Sequence, residues 1–422
     1  MHHFKYRHNQ LCCEGVSVQA IAEAAGTPVY IYSAQTLLDH YTRLVHAFRS
    51  IAPLVCFSVK ANSNLAVLRT LVNAGAGLDV VSGGELYKAL RVGCDPQRIV
   101  FASVGKTEHE IREALRVGVL LINIESAAEL AEVERLAAQL GKRAAVALRI
   151  NPGVEVETHH FIMTGAHGHK FGMDPDTAEA LLRDHARFPH LDIKGLHLHI
   201  GSQITEAKPF VEAITRVSLL VEQAVQLGVG LEYLDIGGGL GIVYREEEKP
   251  QTAKEFAQAV LPLLKQMQLK VILEPGRFIA GSAGVLITRV LYLKETAQKT
   301  FVVVDAGMND FIRPALYGAY HDIQPVVADA APQQEMVADV VGPVCETGDT
   351  FAKDRKLPVV NTGALLAIMG AGAYGFTMAS QYNSRPKPAE VMVRGEKYFV
   401  VRRREKLQDL IRQEVIPQEL WQ

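Results

Sequence analysis

Long apolar runs, a cysteine framework and a strong net charge are all missing from this sequence. No apolar stretch reaches the ~20 residues that a membrane-spanning helix needs, because segments such as residues 370–375 are interrupted by glycine. The five cysteines are scattered, with neither zinc-finger spacing nor the pattern of a disulfide scaffold. A net charge of -2 gives no electrostatic reason to bind nucleic acid. We therefore expect reduced thiols and no nucleic-acid or membrane partner.

The N-terminus also lacks the apolar core of a secretory signal, so a cytoplasmic location is expected. The composition, with 48% hydrophobic and 21% charged residues, is that of a globular protein. A chain of 422 residues is too long for one ordinary hydrophobic core. The sequence therefore predicts two domains.

Short apolar segments alternate with segments of helical period through the first two thirds of the chain. Eight strands are predicted at residues 55–61, 78–82, 99–102, 120–125, 145–151, 193–200, 233–236 and 270–273. This alternation is typical of a (β/α)8 TIM-type barrel, although an open doubly wound sheet gives a similar pattern. The count of eight and the polar, glycine-rich clusters at the strand ends favour the barrel.

The alternation stops beyond Gly276. Strands are predicted at residues 285–293, 300–305, 336–341, 358–361 and 390–403, the last with a turn at 394–397, and a final helix is predicted at 407–414. This pattern indicates a C-terminal, mostly β domain that also takes in the N-terminal segment. We expect a barrel at residues 34–280 and a β-rich domain from 1–33 and 281–422.

Lys60 ends an apolar run, Val-Cys-Phe-Ser-Val-Lys, and opens a polar loop, Ala-Asn-Ser-Asn. A partly desolvated lysine at such a strand end favours the neutral amine and is a candidate Schiff-base nucleophile. The alternative is a lysine whose aliphatic stem is buried while its ammonium reaches solvent.

Two histidines at the end of the sixth strand, His197 and His199, share one face if the strand continues. A metal pair is one interpretation, with the histidines at 159, 160, 167 and 169 as further ligands. The alternative is one functional ring and one packed ring.

Two more clusters follow the seventh and eighth strands. Gly237, Gly238 and Gly239 have no Cβ to block an anion and predict a phosphate cradle, or simply a tight turn. Glu274, three residues before Arg277, is either a structural ion pair or the acid that keeps a pyridine nitrogen protonated. Together with Lys60, these groups suit a phosphorylated pyridine cofactor, on whose ring His199 would stack.

The motifs extend over nearly the whole chain: Ser58-Val-Lys-Ala-Asn62, Arg149-Ile-Asn-Pro-Gly153, His199-Ile-Gly-Ser-Gln203, Gly237-Gly-Gly239, Glu274-Pro-Gly-Arg277, Arg313-Pro-Ala-Leu-Tyr-Gly318, Cys345-Glu-Thr-Gly-Asp349 and Gly372-Ala-Tyr-Gly375. With these motifs the sequence resembles the fold-type III pyridoxal-phosphate-dependent amino acid decarboxylases, within the alanine racemase-like barrel superfamily. The segments around Arg313 and Cys345 are similar to the diaminopimelate branch.

The resemblance implies a role for each site residue. Lys60 would form the Schiff base with pyridoxal 5'-phosphate, His199 would stack on the ring and Glu274 would meet the ring nitrogen. The remaining implied contacts are Ser202, the three glycines, Arg277 and Tyr374 to the cofactor, and Arg277, Arg313, Tyr317, Glu346 and Tyr374 to the substrate.

The resemblance also implies a homodimer, in which Cys345 and Glu346 are donated across the interface and Cys345 is a possible proton donor. Asp79 and Glu85 are either supports for Lys60 or structural. Thr347 departs from the serine that the family more often has, but its hydroxyl is retained.

The reaction implied is decarboxylation of meso-2,6-diaminopimelate to L-lysine and CO2, the last step of lysine biosynthesis. The alternatives are a relative acting on ornithine, lysine, arginine or carboxynorspermidine, or a racemase. Outside this chemistry stand a metal-dependent hydrolase and a non-catalytic pyridoxal phosphate carrier. Arg313 and Tyr317 favour a substrate with a second carboxylate.

Overall fold

The computed structural model describes residues 2–154, 170–328 and 334–421 of the 422-residue chain. The chain divides into two compact units, which are Leu37–Gly281 and the combination of Met1–Thr36 with Ser282–Gln422. We refer to them as the barrel unit and the β-rich unit. The predicted histidines at 159, 160, 167 and 169 lie outside the described residues.

The N-terminal part of the β-rich unit contains a small antiparallel sheet, a helix and one strand of a larger sheet. Its elements are β1 Phe4–Arg7, β2 Gln10–Cys13, β3 Val16–Ser17, α1 Val18–Ala25 and β4 Val29–Ser33. The next helix, α2 Ala34–Ala47, begins after Ser33, whose hydroxyl accepts a hydrogen bond from the backbone N–H of Thr36. Ser33 is thus the N-cap of α2, and serine is among the residues preferred at this position.

The barrel unit is a closed parallel barrel of eight strands with helices between them, so the predicted fold class is confirmed. The strands are β5 Leu54–Ser58, β6 Gly77–Val80, β7 Ile99–Phe101, β8 Leu121–Ile124, β9 Ala144–Ile150, β10 Leu191–Leu198, β11 Tyr233–Asp235 and β12 Lys270–Leu273. The helices are α3 Leu65–Asn73, α4 Gly83–Arg91, α5 Glu108–Val117, α6 Ala127–Leu140, α7 Pro175–Arg183, α8 Lys208–Gln226, α9 Ala253–Met267 and α10 Arg277–Ala280. Pairing of β12 with β5 closes the barrel.

Local signals explain where these helices start and stop. Thr107 and Glu110 form a reciprocal capping box at the start of α5, as Thr252 and Glu255 do at α9. Gly118 ends α5 with a φ of 73°, a left-handed conformation in which a glycine has no Cβ penalty. Each helix therefore returns the chain to the next strand at a residue that the sequence specifies.

The rest of the β-rich unit follows the barrel in the chain. Its strands are β13 Gly284–Glu295, β14 Thr300–Val304, β15 Ile323–Pro325, β16 Glu335–Val341, β17 Thr350–Pro358, β18 Leu365–Ile368, β19 Ala389–Arg394 and β20 Lys397–Arg402, and its helices are α11 Arg313–Tyr317 and α12 Leu407–Leu410. The large sheet has the order β17-β16-β14-β13-β4-β19-β20. Buried residues of β4, β13 and β19 pack with Ile21 and Leu11 in its core.

Two predicted elements of this unit are wrong. The strand predicted at 358–361 lies mostly after β17, which runs through the charged sequence Ala-Lys-Asp-Arg-Lys before it reaches Pro358. The helix predicted at 407–414 ends at Leu410, because its apolar residues Leu407 and Ile411 are exposed and gain no packing energy. None of the helices in the described part of the chain combines the length and apolar character that a membrane span requires.

Candidate active site

Polar side chains collect at the carboxyl ends of the barrel strands, where barrel enzymes place their chemistry. Five strands contribute to the interior group: β6 with Asp79, β8 with Asn123, β10 with His197, β11 with Asp235 and β12 with the adjoining Glu274. All five side chains are buried. Burial of so many ionisable groups is costly unless they compensate one another, so their contacts define what the site can do.

Lys60 lies in a single 3-10 turn directly after β5. Its ammonium is 2.7 Å from Oδ2 of Asp79, and about a third of its side chain is exposed while that of Asp79 is not exposed at all. The hydroxyl of Ser58 donates to the same Asp79 oxygen at 2.7 Å. Burial, with repulsion from Glu274, raises the pKa of Asp79 against the attraction of Lys60. Asp79 therefore holds the end of Lys60, as expected of a residue that supports the lysine.

Glu85 has a different role. Its carboxylate accepts a hydrogen bond from the backbone N–H of Val81 at 2.9 Å, and its own N–H donates to the hydroxyl of Ser82. Burial raises the pKa of Glu85 to about 7. These contacts are those of a residue that stabilises the start of α4.

Glu274 is held between two neighbouring side chains. Its Oε2 is 3.3 Å from Nε2 of His197, and its Oε1 is 3.5 Å from Nδ2 of Asn123. Burial alone would raise the pKa of Glu274, but attraction to His197 and Lys60 outweighs burial and holds the pKa well below its usual range. Glu274 is therefore an anion inside the barrel, which is what a partner for a protonated pyridine nitrogen must be.

His199 follows the last residue of β10 and has different surroundings from His197. Its Nδ1 accepts a hydrogen bond from the backbone N–H of Gly238 at 3.1 Å, which places the proton of the neutral ring on Nε2. Desolvation lowers the pKa of His199 to about 3, and repulsion from Arg149 and Lys60 adds to this. His199 is therefore an uncharged, oriented ring, and its partner differs from that of His197.

The glycine loop is packed more tightly than a simple cradle requires. A Cβ on Gly238 would lie 2.2 Å from the backbone oxygen of Glu274, and one on Gly237 would lie 2.5 Å from that of Leu198. The backbone N–H of Gly237 donates to Asp235 and that of Gly238 to His199. Two of the three N–H groups of the loop are therefore engaged by the protein's own side chains. Gly239 has a φ of 109°, which glycine alone adopts readily.

Arg277 and Ser202 are brought together, as their predicted shared role requires. Nε and Nη2 of Arg277 donate to the hydroxyl of Ser202 at 3.2 and 3.0 Å, and Nη1 donates to the hydroxyl of Tyr244 at 2.7 Å. Tyr244 was not predicted from the sequence. A guanidinium and two hydroxyls form a donor set suited to phosphate or carboxylate oxygens.

The β-rich unit carries the other predicted site residues. Arg313 is buried at the start of α11, with its guanidinium carbon 5.7 Å from the centre of the Tyr317 ring and its Nε 3.3 Å from Nε2 of His321. Tyr374 has a φ of 55°, in a turn where a Cβ on Gly375 would lie 2.5 Å from the oxygen of Ala371.

Cys345 and Glu346 are exposed on a turn of the same unit. The carboxylate of Asp349 fixes the base of this turn by accepting from the backbone N–H groups of Met308 and Val344. The hydroxyl of Tyr382 is 3.3 Å from Oε2 of Glu346. The turn thus presents a thiol and a carboxylate outwards on a rigid base.

Asn123 and Asp235 were also missed in the sequence. Each is a polar residue inside a short apolar strand, in Leu-Ile-Asn-Ile and Tyr-Leu-Asp-Ile. The signal that would have found them is a polar residue within an apolar strand, on the same inward face as the functional residues of the neighbouring strands.

Donor atoms of His197, Asp235 and Glu274 all lie within 4.8 Å of one another, a separation that a metal ion could also use. The pyridine cofactor accounts for more of these residues than a metal ion does. Lys60, the anionic Glu274 and the neutral ring of His199 each have a role toward the cofactor, whereas a metal ion would leave Lys60 without a role.

Comparison with known proteins agrees with this geometry. Residues 35–281 match the family described as pyridoxal-dependent decarboxylase, pyridoxal binding domain. A diaminopimelate decarboxylase of Pseudomonas aeruginosa is 49% identical over 408 residues, which are 96% of this chain and 97% of the relative. The crystal structure of diaminopimelate decarboxylase from Helicobacter pylori complexed with L-lysine is 41% identical, with a TM-score of 0.90 over 94% of this chain and 98% of that one.

The enzyme from M. jannaschii in co-complex with L-lysine is 36% identical, with a TM-score of 0.94 over 99% of this chain and 98% of that one. Fold, domain match and full-length identity therefore agree, and the chain belongs to the diaminopimelate decarboxylases, within the family of pyridoxal-dependent decarboxylases.

Proposed function

We propose that this chain decarboxylates meso-2,6-diaminopimelate to L-lysine and CO2 with pyridoxal 5'-phosphate as cofactor. The observation that carries the proposal is the convergence of an amine, Lys60, and a buried anion, Glu274, at one end of the barrel. The relatives that share this chain's full length are diaminopimelate decarboxylases, and two of the similar structures are complexes with L-lysine. Lysine is the product that the proposed reaction would release.

The barrel residues fit the cofactor. When bound, pyridoxal phosphate supplies an aldehyde for an amine and a ring that withdraws electrons from the bond to the departing carboxylate. Lys60 supplies the amine, Glu274 the anion for the ring nitrogen and His199 a neutral ring that can stack. Phosphate oxygens would meet Ser202, Arg277, the glycine loop at Gly239, and Tyr374.

Asp79 prepares Lys60 for this role. Its carboxylate holds the ammonium at 2.7 Å and can accept the proton that the lysine gives up. Because the pKa of Asp79 is raised, this carboxylate is a better proton acceptor than an exposed aspartate would be. Ser58 keeps the Asp79 oxygen in place through its own hydrogen bond.

Recognition of the substrate requires two carboxylates and two ammonium groups to be held. The buried Arg313, with Tyr317 against its guanidinium, offers a fork for the far carboxylate, and Arg277 and Tyr374 complete the proposed set. Glu346 is the proposed partner of the far ammonium. Simple diamine precursors have no far carboxylate for Arg313 to hold.

A homodimer is part of the proposal. Cys345 and Glu346 point outwards on a rigid turn, which supports a role for them in the site of a second subunit, with Cys345 as a possible proton donor to the reacting carbon. A cytoplasmic location stays a prediction from the sequence.

The substrate is tested by measuring CO2 release from meso-2,6-diaminopimelate, lysine, ornithine, arginine and carboxynorspermidine under the same conditions. We expect the highest kcat/KM for diaminopimelate. A higher kcat/KM for any of the others would overturn the choice of substrate, and a chiral assay of the recovered amino acid separates decarboxylation from racemisation.

The role of Lys60 is tested by Lys60→Ala. We expect this variant to lose the visible absorbance band that arises when the cofactor aldehyde is bonded to the protein. The matched control is Lys194→Ala, since Lys194 pairs with Glu232 on the other side of the strand ends that carry the site. Retention of the band by Lys60→Ala would show that another amine is bonded.

A further inference from the structure

His197 has not been given a function above, although it lies in the centre of the barrel interior. It is 1% exposed and is the penultimate residue of β10. Its Nε2 is 3.3 Å from Oε2 of Glu274. Neither ring nitrogen makes a well-aligned hydrogen bond to another described residue. The 3.3 Å contact with Glu274 is therefore the nearest polar contact that the structure gives for this ring.

Glu274 is contacted on both oxygens. Asn123 lies 3.5 Å from Oε1 and His197 3.3 Å from Oε2, so the carboxylate plane is defined by side chains of β8 and β10. Both neighbours present nitrogen atoms that can donate. Rotation of the carboxylate would break one of these contacts in a space where no water-exposed surface can replace it.

Asp235 is the third neighbour. One of its oxygens accepts from the backbone N–H of Gly237, and the other is buried with no hydrogen-bond partner among the described residues. Burial, with repulsion from Glu274, raises the pKa of Asp235 well above its usual range. Of the two adjacent carboxyl groups, Asp235 therefore carries the proton and Glu274 the charge.

We infer that His197 is a positioning residue, which holds the Glu274 carboxylate in the orientation that receives the ring nitrogen of pyridoxal phosphate. His197 would not touch the reacting atoms. It would act through Glu274, so its effect would depend on the ring nitrogen of the cofactor. The inference rests on the role proposed above for Glu274.

The test compares two cofactors on the apoprotein. Pyridoxal phosphate and its 1-deaza analogue share the aldehyde and the phosphate, but the analogue has a C–H group in place of the ring nitrogen. Titration followed by absorbance gives a dissociation constant for each. In His197→Phe, we expect the dissociation constant for pyridoxal phosphate to rise about tenfold or more, because the buried Glu274 carboxylate loses a polar contact that fixes its orientation, while that of the analogue changes less than about twofold.

Three further variants complete the experiment. His197→Gln restores an N–H donor and should recover part of the affinity for pyridoxal phosphate. His190→Phe is the matched control, because His190 also faces a glutamate, with 2.7 Å between its Nδ1 and Oε1 of Glu134, but stands at the opposite end of β10. It should bind both cofactors as the unsubstituted protein does. Far-UV circular dichroism of the apoprotein checks that each variant is folded.

Equal weakening of both cofactors by His197→Phe would overturn the inference, because the ring would then act only through packing. No weakening of either cofactor's binding would also overturn it.

Glu274→Gln separates the inference from its premise. If Glu274→Gln discriminates between the cofactors and His197→Phe does not, only the role of His197 is wrong. If Glu274→Gln itself fails to discriminate, the proposed role of Glu274 is wrong and the inference falls with it. CO2 release from diaminopimelate is a separate measurement and does not enter either outcome.

Discussion

Asp310 in the β-rich unit makes stability depend on pH in a direction opposite to that of most carboxylates. It is 2% exposed, and burial raises its pKa from 3.8 to about 7. Its Oδ2 accepts from the backbone N–H of Gly307 at 2.9 Å, and its Oδ1 is 3.0 Å from the side-chain amide of Asn309. The amide oxygen of Asn309 is buried without a partner among the described residues. Rotation of that amide would let a protonated Asp310 donate to the oxygen, so the neutral acid has a suitable partner.

The substitution to make is Asp310→Asn, which has the shape of the neutral acid, can accept from the N–H of Gly307 and, once the amide of Asn309 is rotated, can donate to its oxygen. Between about pH 4 and pH 7 the folded wild-type protein binds more protons at this site than the unfolded chain, so the free energy of unfolding falls as the pH rises. The stabilisation from the proton is complete below about pH 4 and lost above about pH 7. The slope is about 1.4 kcal/mol per pH unit, which gives a total of about 4 kcal/mol over the window.

Urea unfolding followed by far-UV circular dichroism at about pH 5 and about pH 8 measures this difference. We expect Asp310→Asn to gain on the wild type by about 3 kcal/mol between the two conditions, nearly all of it below about pH 7, where the folded wild-type carboxyl group still holds its proton. The control is Asp176→Asn, because Asp176 is exposed on α7 and neither form of its side chain is desolvated. If the stability of Asp310→Asn relative to wild type were the same at both pH values, or fell as the pH rose, the carboxylate would be ionised in the folded protein and the reasoning would be refuted.

Two further substitutions test the packing of the barrel. Gly238→Ala should lower the affinity for pyridoxal phosphate at least about tenfold, because its Cβ would lie 2.2 Å from a backbone oxygen. The control Gly230→Ala, whose Cβ would have no heavy atom within 4 Å, should leave the affinity unchanged. Equal retention of cofactor by the two variants after desalting would contradict this prediction. Lys106→Met should lower the free energy of unfolding by about 3 kcal/mol, since the unexposed ammonium donates to Glu129 at 2.6 Å and to two backbone oxygens. The control Arg183→Met breaks an exposed ion pair and should lower the free energy of unfolding by less than about 1 kcal/mol. Urea unfolding distinguishes these values, and equal losses would count against a structural role for Lys106.

The barrel was predictable because its strands are buried on both faces. Each is then a short apolar run, and the polar residues that interrupt or follow such runs stand out in the sequence. Lys60, His199 and Glu274 were found in this way. The β-rich unit was less predictable, because strands with one exposed face carry charges that conceal them. In β17 the residues from Lys353 to Lys356 are charged, and Asp354 has a φ of 45°, so neither alternation nor composition marks the strand.

Contacts across the barrel interior were beyond the sequence for a geometric reason. Whether His197 meets Glu274 depends on the register of β10 and β12, with β11 between them, and no local pattern specifies that register. β10 ends at Leu198, so the strand pattern does not extend to His199, whose Nδ1 accepts from the backbone N–H of Gly238 while His197 contacts Glu274. The spacing of the two histidines does not specify these separate partners.

The glycine loop has close neighbours that the sequence does not reveal. Three consecutive glycines indicate that something approaches the backbone closely, and a phosphate was the expected ligand. In the structure, the close neighbours are also the protein's own carbonyl oxygens, those of Leu198 and Glu274, and two of the N–H groups are engaged by Asp235 and His199. The loop therefore orients the ring of His199 and allows the backbone after β12 to lie beside it, so that a substitution at Gly238 would disturb the residues proposed to hold the cofactor ring as well as its phosphate.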